Sequence, residues 1–202
     1  MLSSVLRRAT LLWPLIVALA APAHAQEIFA TPFVGLKFGG GTSIVDLELA
    51  AGKRALTLGG SIVVLGDGIL DYEVDFGYVP SYFENGRGAP LVKPGSYAID
   101  LTGGLIAALP AGVTGGGLQP YVVVGIGLIS AQAADVLEIF QIRRTVPAYK
   151  IGIGAQGLLS NLVGVRFDLR HVRSLTGDDG SLARVGRRIS YSRFTLGLLL
   201  RL

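Results

Sequence analysis

Apolar and polar residues alternate along most of this chain, and residues 70–78 show the alternation most clearly. One set of alternate positions is apolar and the other is acidic or glycine: Leu70, Tyr72, Val74, Phe76 and Tyr78 against Asp71, Glu73, Asp75 and Gly77. A helix would spread these carboxylates around its axis, whereas a strand places every second side chain on one face. The segment is therefore predicted to be a β-strand with one apolar and one charged face.

The same period of two recurs in eight segments of the chain. These candidate strands span residues 29–39, 55–65, 69–79, 96–109, 119–129, 147–159, 162–172 and 190–202. Each has about the nine to eleven residues that a tilted strand needs to cross a bilayer. After residue 25, no stretch has the roughly 18 consecutive apolar residues of a membrane-spanning helix. We therefore expect an all-β fold.

The connections between the candidate strands alternate between short and long. The short ones lie near residues 66–68, 110–118 and 160–161, and the long ones near 40–54, 80–95, 130–146 and 173–189. Short turns on one side and long loops on the other are typical of an outer-membrane barrel. The third long link contains several apolar residues, which could either extend the flanking strands or form a short helix.

Residues 1–25 are predicted to be a secretory signal peptide, because a basic start precedes a short apolar run and a small-residue cleavage site. Cleavage between Ala25 and Gln26 would leave one barrel domain over residues 26–202. Removing the two arginines of the basic start lowers the formal net charge from +4 to +2. This small excess gives no support to a nucleic-acid partner. The absence of Cys excludes disulfides and thiolate metal sites.

The two faces of the predicted strands differ in a way that favours a membrane barrel over a soluble one. Glycines share the charged face, which suits the narrow lumen of an eight-stranded barrel. The opposite face is almost entirely apolar, and only 16% of all residues are charged, against about 25% in soluble domains. Four aromatic residues fall near the predicted extracellular strand ends, as an aromatic girdle would: Phe38, Tyr78, Tyr97 and Tyr149.

Three segments carry a resemblance to a known family: residues 31–35 (TPFVG), 119–127 (QPYVVVGIG) and 163–170 (VGVRFDLR). With these, the chain resembles the small, eight-stranded outer-membrane β-barrel family of Gram-negative bacteria. The resemblance implies an antiparallel, up-and-down transmembrane barrel in the cell outer membrane, with short periplasmic turns and long extracellular loops. It also implies a monomer without a cofactor, which contacts outer-membrane lipids and lipopolysaccharide and is inserted by the barrel-assembly machinery.

Charged residues of both signs fall on the inward face of the predicted strands. They are Asp71, Glu73, Asp75, Asp100 and Asp168, and Lys37, Lys150, Arg166, Arg170, Arg193 and Arg201. A selective ion pore would show one dominant sign, whereas near-cancellation indicates an ion network that plugs the lumen. Solvated charges in a wet lumen remain the alternative.

A symmetric hairpin would set Asp75 opposite Asp100. Since two facing carboxylates repel each other, Asp75→Asn with Asp100→Asn is expected to be tolerated better than Arg166→Ala or Arg170→Ala.

Two arginine pairs, Arg143-Arg144 and Arg187-Arg188, fall in the predicted outer loops. Guanidinium groups suit phosphate oxygens, so these pairs are candidate contacts to lipopolysaccharide, with ordinary solvated loops as the alternative.

The sequence favours a non-enzymatic barrel with a largely occluded polar lumen, acting in envelope integrity or surface interaction. The second hypothesis is a channel for small solutes or hydrophobic compounds. The third is an esterase that modifies lipid A, through His171 and Ser174. A spacing of three would place these two side chains on opposite faces of a regular strand, which disfavours the esterase.

Overall fold

The computed structural model describes residues 27–42, 54–66, 68–82, 95–114, 117–134, 141–175 and 189–202. These residues form eight strands and one short helix: β1 (Glu27–Thr42), β2 (Ala55–Leu65), β3 (Leu70–Pro80), β4 (Tyr97–Ala108), α1 (Ala111–Thr114), β5 (Gln119–Ala134), β6 (Gln141–Leu158), β7 (Val163–Ser174) and β8 (Ile189–Arg201). Within the described ranges, no helix has the length and apolar character needed to cross a membrane.

The eight strands form a closed antiparallel barrel in which each strand pairs with its neighbours in sequence. Pairing of β1 with β8 closes the barrel. Closure leaves no strand edge unpaired, which a sheet in lipid requires because no water is available to the backbone. The predicted all-β, eight-stranded, up-and-down architecture is confirmed.

The barrel has two unlike ends. Its turn end carries the connections 66–69, 109–118 and 159–162 together with the start of β1 and the end of β8. We call the opposite end the loop end. Most of the predicted long loops lie outside the described residues, as do the predicted signal peptide and its cleavage site. Those predictions therefore stay predictions.

The third long link, predicted over residues 130–146, is shorter in the structure than predicted. β5 continues to Ala134 and β6 begins at Gln141, and these two residues pair with each other. The flanking strands therefore extend into both ends of this segment, whereas residues 135–140, which hold most of its large apolar side chains, lie outside the described part of the chain. The unforeseen helix α1 lies in the connection 109–118, where a proline precedes it.

The predicted register between β3 and β4 is wrong by two residues. Asp75 lies opposite Thr102, and Asp100 lies opposite Gly77. Because a shift by two keeps every side chain on its own face, the apolar pattern cannot distinguish these registers. The observed register places a residue without a side chain beside Asp100.

The outer face of the barrel is apolar and exposed, as predicted. In β3, for example, Leu70, Tyr72 and Val74 point outward, while Asp71 and Glu73 point inward and are buried. The four predicted girdle aromatics lie on the outer face near the loop end. The rings of Tyr78 and Tyr97 are neighbours, with centroids 6.0 Å apart. This wall suits contact with lipid.

Two buried apolar clusters fill the lumen on either side of its middle. The one toward the turn end comprises Val63, Ile106, Ala108, Tyr121 and Val123. The one toward the loop end comprises Ala55, Val79, Tyr82, Ala98, Ile129, Ala131, Val146, Ala148, Val172, Ile189 and Tyr191. Most of the buried charges lie between these clusters, while Lys37 is buried toward the loop end and Asp71 toward the turn end.

Candidate functional site: the charged layer of the lumen

Charged side chains from five strands lie together in the middle of the lumen. They come from β3, β4, β6 and β7, and β8 contributes Arg193. These side chains point inward because successive residues of a strand face opposite sides of the sheet, and the apolar residues next to them face outward. We call the group the lumen network; it comprises Glu73, Asp75, Asp100, Lys150, Arg166, Asp168, Arg170 and Arg193.

Glu73 contacts three cations of this network. Nζ of Lys150 lies 2.9 Å from its Oε2, and Nη2 of Arg166 lies 3.0 Å from its Oε1. Arg170 donates two hydrogen bonds to it, from Nη1 to Oε2 at 3.0 Å and from Nη2 to Oε1 at 2.9 Å. Such bidentate, charge-assisted bonds are stronger than neutral ones. Glu73 thus joins β3 to β6 and β7 across the lumen.

Arg193 joins the two carboxylates that the sequence had placed opposite each other. Its Nη2 binds Asp75, and its Nη1 lies 3.0 Å from Oδ2 of Asp100. The hydroxyl of Tyr191 donates to the same oxygen of Asp100. The guanidinium also lies over the ring of Phe33, 5.0 Å from its centroid. The two carboxylates therefore share a cation instead of repelling each other.

Asp168 is the carboxylate that β7 contributes to the network. Nη2 of Arg170 donates to its Oδ1 at 2.8 Å, and Nε of Arg166 lies 3.2 Å from its Oδ2. The hydroxyl of Tyr121 donates to Oδ1 and accepts a hydrogen bond from Nε of Arg166 at 2.7 Å. The guanidinium of Arg166 lies 4.7 Å from the ring centroid of Tyr121. Tyr121 is thus a neutral partner within the ionic layer.

Two glycines leave the room that these large side chains occupy. A Cβ at Gly77 would overlap Nη1 of Arg193 and Oδ2 of Asp100. A Cβ at Gly154 would overlap the ring and hydroxyl of Tyr121. These two glycines of the charged face therefore lie where the network and Tyr121 need space.

The buried charges of the lumen balance. Among the described residues, the buried cations and carboxylates are equal in number, five of each: Lys37, Lys150, Arg166, Arg170 and Arg193, and Asp71, Glu73, Asp75, Asp100 and Asp168. A buried charge persists only when it is paired and hydrogen-bonded, so this balance favours a dry interior over a hydrated pore.

Three residues predicted for this network lie outside it. Arg201 is 40% exposed and pairs with Glu27 at the turn end, at 2.9 Å, because it lies at the last position of β8. Asp71 is buried nearer the turn end, where its Oδ1 accepts the N–H of Gly66 at 3.0 Å. Lys37 is buried at the loop end, with Nζ 4.5 Å from the ring centroid of Tyr82.

Tyr82 reaches into the loop end of the barrel although it follows β3 in the chain. Ser81, before it, adopts a positive φ of 52° and turns the chain inward. The Tyr82 hydroxyl donates to the carbonyl oxygen of Ser190 at 3.2 Å, and its ring packs edge-on against Tyr191. Burial raises the pKa of the Tyr82 hydroxyl, which keeps it protonated as a donor. Sequence reasoning missed this residue because it lies in a predicted loop.

The candidate lipopolysaccharide contacts fall at or beyond the described part of the chain. Arg143 and Arg144 lie in the extension of β6, opposite Gln132 and Ala131, and not in a loop as predicted. The reason is the longer β5–β6 pairing. Arg187-Arg188 lies outside the described residues.

His171 has a different serine partner from the one considered in the sequence. Ser174 is buried and its Oγ accepts the N–H of Ile189 at 3.1 Å, so it points away from His171, as predicted from the spacing. Instead, Nδ1 of His171 lies 3.0 Å from Oγ of Ser192 on the adjacent strand. Among the described residues, no carboxylate hydrogen-bonds to this pair.

A closed antiparallel barrel with an apolar outer wall and a buried ionic interior is a transmembrane β-barrel of the outer-membrane type. Solved structures of such proteins are similar to the chain in fold. No protein-family model matches the chain, and no curated protein matches it either.

Three outer-membrane proteins have solved structures that match the chain with TM-scores above 0.5. Neisserial surface protein A gives 0.63 at 12% identity, over 89% of this chain and 100% of that one. A major outer membrane protein of Thermus thermophilus gives 0.55 at 13% identity, over 89% and 100% of the two chains. The attachment invasion locus protein of Yersinia pestis gives 0.51 at 14% identity, over 88% and 98%. At these identities the likeness concerns the fold.

Proposed function

We propose that this chain is a non-enzymatic outer-membrane barrel whose lumen is closed by its own side chains, and that it acts in envelope integrity or surface interaction at its loop end. One observation carries the proposal. The lumen network spans the barrel from β3 to β7 and β8, and its residues are almost completely buried.

Passage of a solute through this layer would require its ion pairs to separate. Removing one partner of a buried pair costs about 3–5 kcal/mol, because the other charge is left uncompensated. The apolar clusters on both sides of the layer contain no charged group that could replace a lost partner. The balance of charge also gives no net sign with which to select ions.

The proposed surface interaction lies at the loop end of the barrel. In outer-membrane barrels the short turns face the periplasm and the longer connections face outward. Lipopolysaccharide is the proposed partner there, with Arg143-Arg144 and Arg187-Arg188 as contacts, since guanidinium forks match phosphate oxygens. The Yersinia pestis protein has been crystallised with a heparin analogue, sucrose octasulfate. That complex supports polyanion binding by a barrel of this fold.

Conductance in planar bilayers tests the closed lumen. We expect the purified barrel to insert without steady single-channel steps, because no ion can cross the network without breaking it. Insertion is checked independently by protection of the strands from protease. A steady open channel in inserted protein would overturn the closed lumen and support the channel hypothesis instead.

The pair of His171 and Ser192 favours a second candidate, an acyl hydrolase acting on lipid at the outer wall. A hydroxyl at hydrogen-bond distance from an imidazole is the minimum for a base-activated nucleophile. Release of fatty acid from lipopolysaccharide, lost in both His171→Ala and Ser192→Ala, would support this candidate. Absence of release from folded protein would leave the pair with a structural role at the membrane interface.

A further inference from the structure

A cavity of about 560 Å³ opens at the turn end of the barrel, on the side opposite to the proposed surface interaction. The connection around α1 and the turn at Gly66 form part of its wall, and the end of β6 forms another part. Its volume lies within the range of about 300–1,000 Å³ that small-molecule sites occupy. We call it the vestibule.

The polar side chains of the vestibule include one buried carboxylate and two glutamine amides, all on strands. Asp71 is fixed by the N–H of Gly66, which Oδ1 accepts at 3.0 Å. Gln119 and Gln156 lie opposite each other on β5 and β6, and both line the cavity. Gln156 is 2% exposed, and its Oε1 has no hydrogen-bond partner among the described residues. A buried acceptor without a donor is costly, so this oxygen favours a ligand that donates.

The charge of the vestibule wall also favours a ligand whose hydrogen-bond donor is positively charged. Among the described residues that line it, two are carboxylates, Asp71 and Glu27, and none is a lysine or arginine. Glu27 pairs with Arg201 at 2.9 Å, whereas Asp71 is the buried carboxylate of this wall. The rest of the wall is largely aliphatic, with Leu109 and Leu158 among its side chains.

We propose that the vestibule binds a primary ammonium group carried on a short aliphatic chain, as in a lysine side chain presented from the periplasm. An ammonium group has three donors and no acceptor, which matches the Asp71 carboxylate and Oε1 of Gln156. The methylene stem packs against the leucines while its charged end reaches the acceptors. The site does not depend on whether the lumen above it conducts.

Nuclear magnetic resonance of the full barrel in micelles tests this site. The probe is Nα-acetyl-lysine methylamide, and the matched control ligand is Nα-acetyl-norleucine methylamide, which lacks only the ammonium group. We expect the lysine compound to shift the side-chain amide resonances of Gln156 and the backbone amide of Gly66 in a saturable way at neutral pH. The norleucine compound is expected to leave both unchanged.

Two variants locate the site, and one controls for general effects. Asp71→Asn and Gln156→Leu should each weaken binding at least tenfold, whereas Gln132→Leu, at the loop end, should leave it unchanged. The dispersion of the loop-end resonances shows whether each variant is folded. The proposal is overturned if the lysine compound gives no saturable shift, if norleucine binds equally well, or if binding survives in both folded variants.

Discussion

Replacing Arg170 with alanine is expected to lower the free energy of unfolding by roughly 3–5 kcal/mol. Arg170 contacts three carboxylates, Glu73, Asp75 and Asp168, at distances of 2.8 to 3.0 Å. Its loss leaves a net negative charge among side chains that are almost completely buried. Urea unfolding of the micelle-bound barrel, followed by circular dichroism in the β region, measures the change.

The matched control for this variant is Arg201→Ala. Arg201 also pairs with a carboxylate, at 2.9 Å, but both side chains are more than a third exposed. A solvent-exposed pair contributes about 0–1 kcal/mol, so this variant is expected to unfold close to the wild type. If Arg170→Ala unfolds at the same urea concentration as Arg201→Ala, the lumen is hydrated and the proposed closure is wrong.

The structure changes the expectation for the two aspartates. Their replacement by asparagine was expected to be mild on the premise that Asp75 and Asp100 face and repel each other. In the structure Arg193 bridges them, and Asp75 also contacts Lys150 and Arg170. Removing both carboxylates would leave the balanced layer with two uncompensated cations. We therefore expect the double variant to be about as destabilised as Arg170→Ala.

The architecture of this barrel could be predicted from the sequence because one physical rule acts on every strand. A residue on the outer wall contacts lipid, and a residue on the inner wall contacts other side chains. The alternation in residues 70–78 or 163–170 therefore indicates which residues face outward and which face inward. The same rule assigned Glu73, Asp168 and Arg170 to the lumen before any partner was known. Strand number and strand order follow from repetition of the pattern with short turns.

The pairing inside the lumen could not be predicted in this way. Which carboxylate meets which cation depends on register and on reach across the barrel, and a two-residue shift leaves the sequence pattern unchanged. Tyr121 and Tyr191 also lie at inward-facing positions. The alternation of residues does not show, however, that their hydroxyls hydrogen-bond to carboxylates. The alternation of residues also predicted that Arg201 lies in the lumen. It indicates which face a residue is on, but not how near the residue lies to the end of its strand.

Gly77→Ala is expected to destabilise the barrel by about 3 kcal/mol, through overpacking and through the ion pair that it displaces. A Cβ at this position would overlap Nη1 of Arg193 and Oδ2 of Asp100, and both side chains are completely buried. Neither can move aside without weakening the contact between them. The same urea titration measures the loss.

Gly103→Ala is the matched control, since Gly103 lies on the outer face of β4 and a Cβ there would meet nothing within 4 Å. An alanine at such a position restricts the unfolded chain and is expected to add about 0.4–1 kcal/mol of stability. A double-mutant cycle with Arg193→Leu identifies the partner in the conflict. If Gly77→Ala costs as much in that background as in the wild type, the conflict is not with Arg193, and Asp100 is the remaining side chain that the new Cβ overlaps.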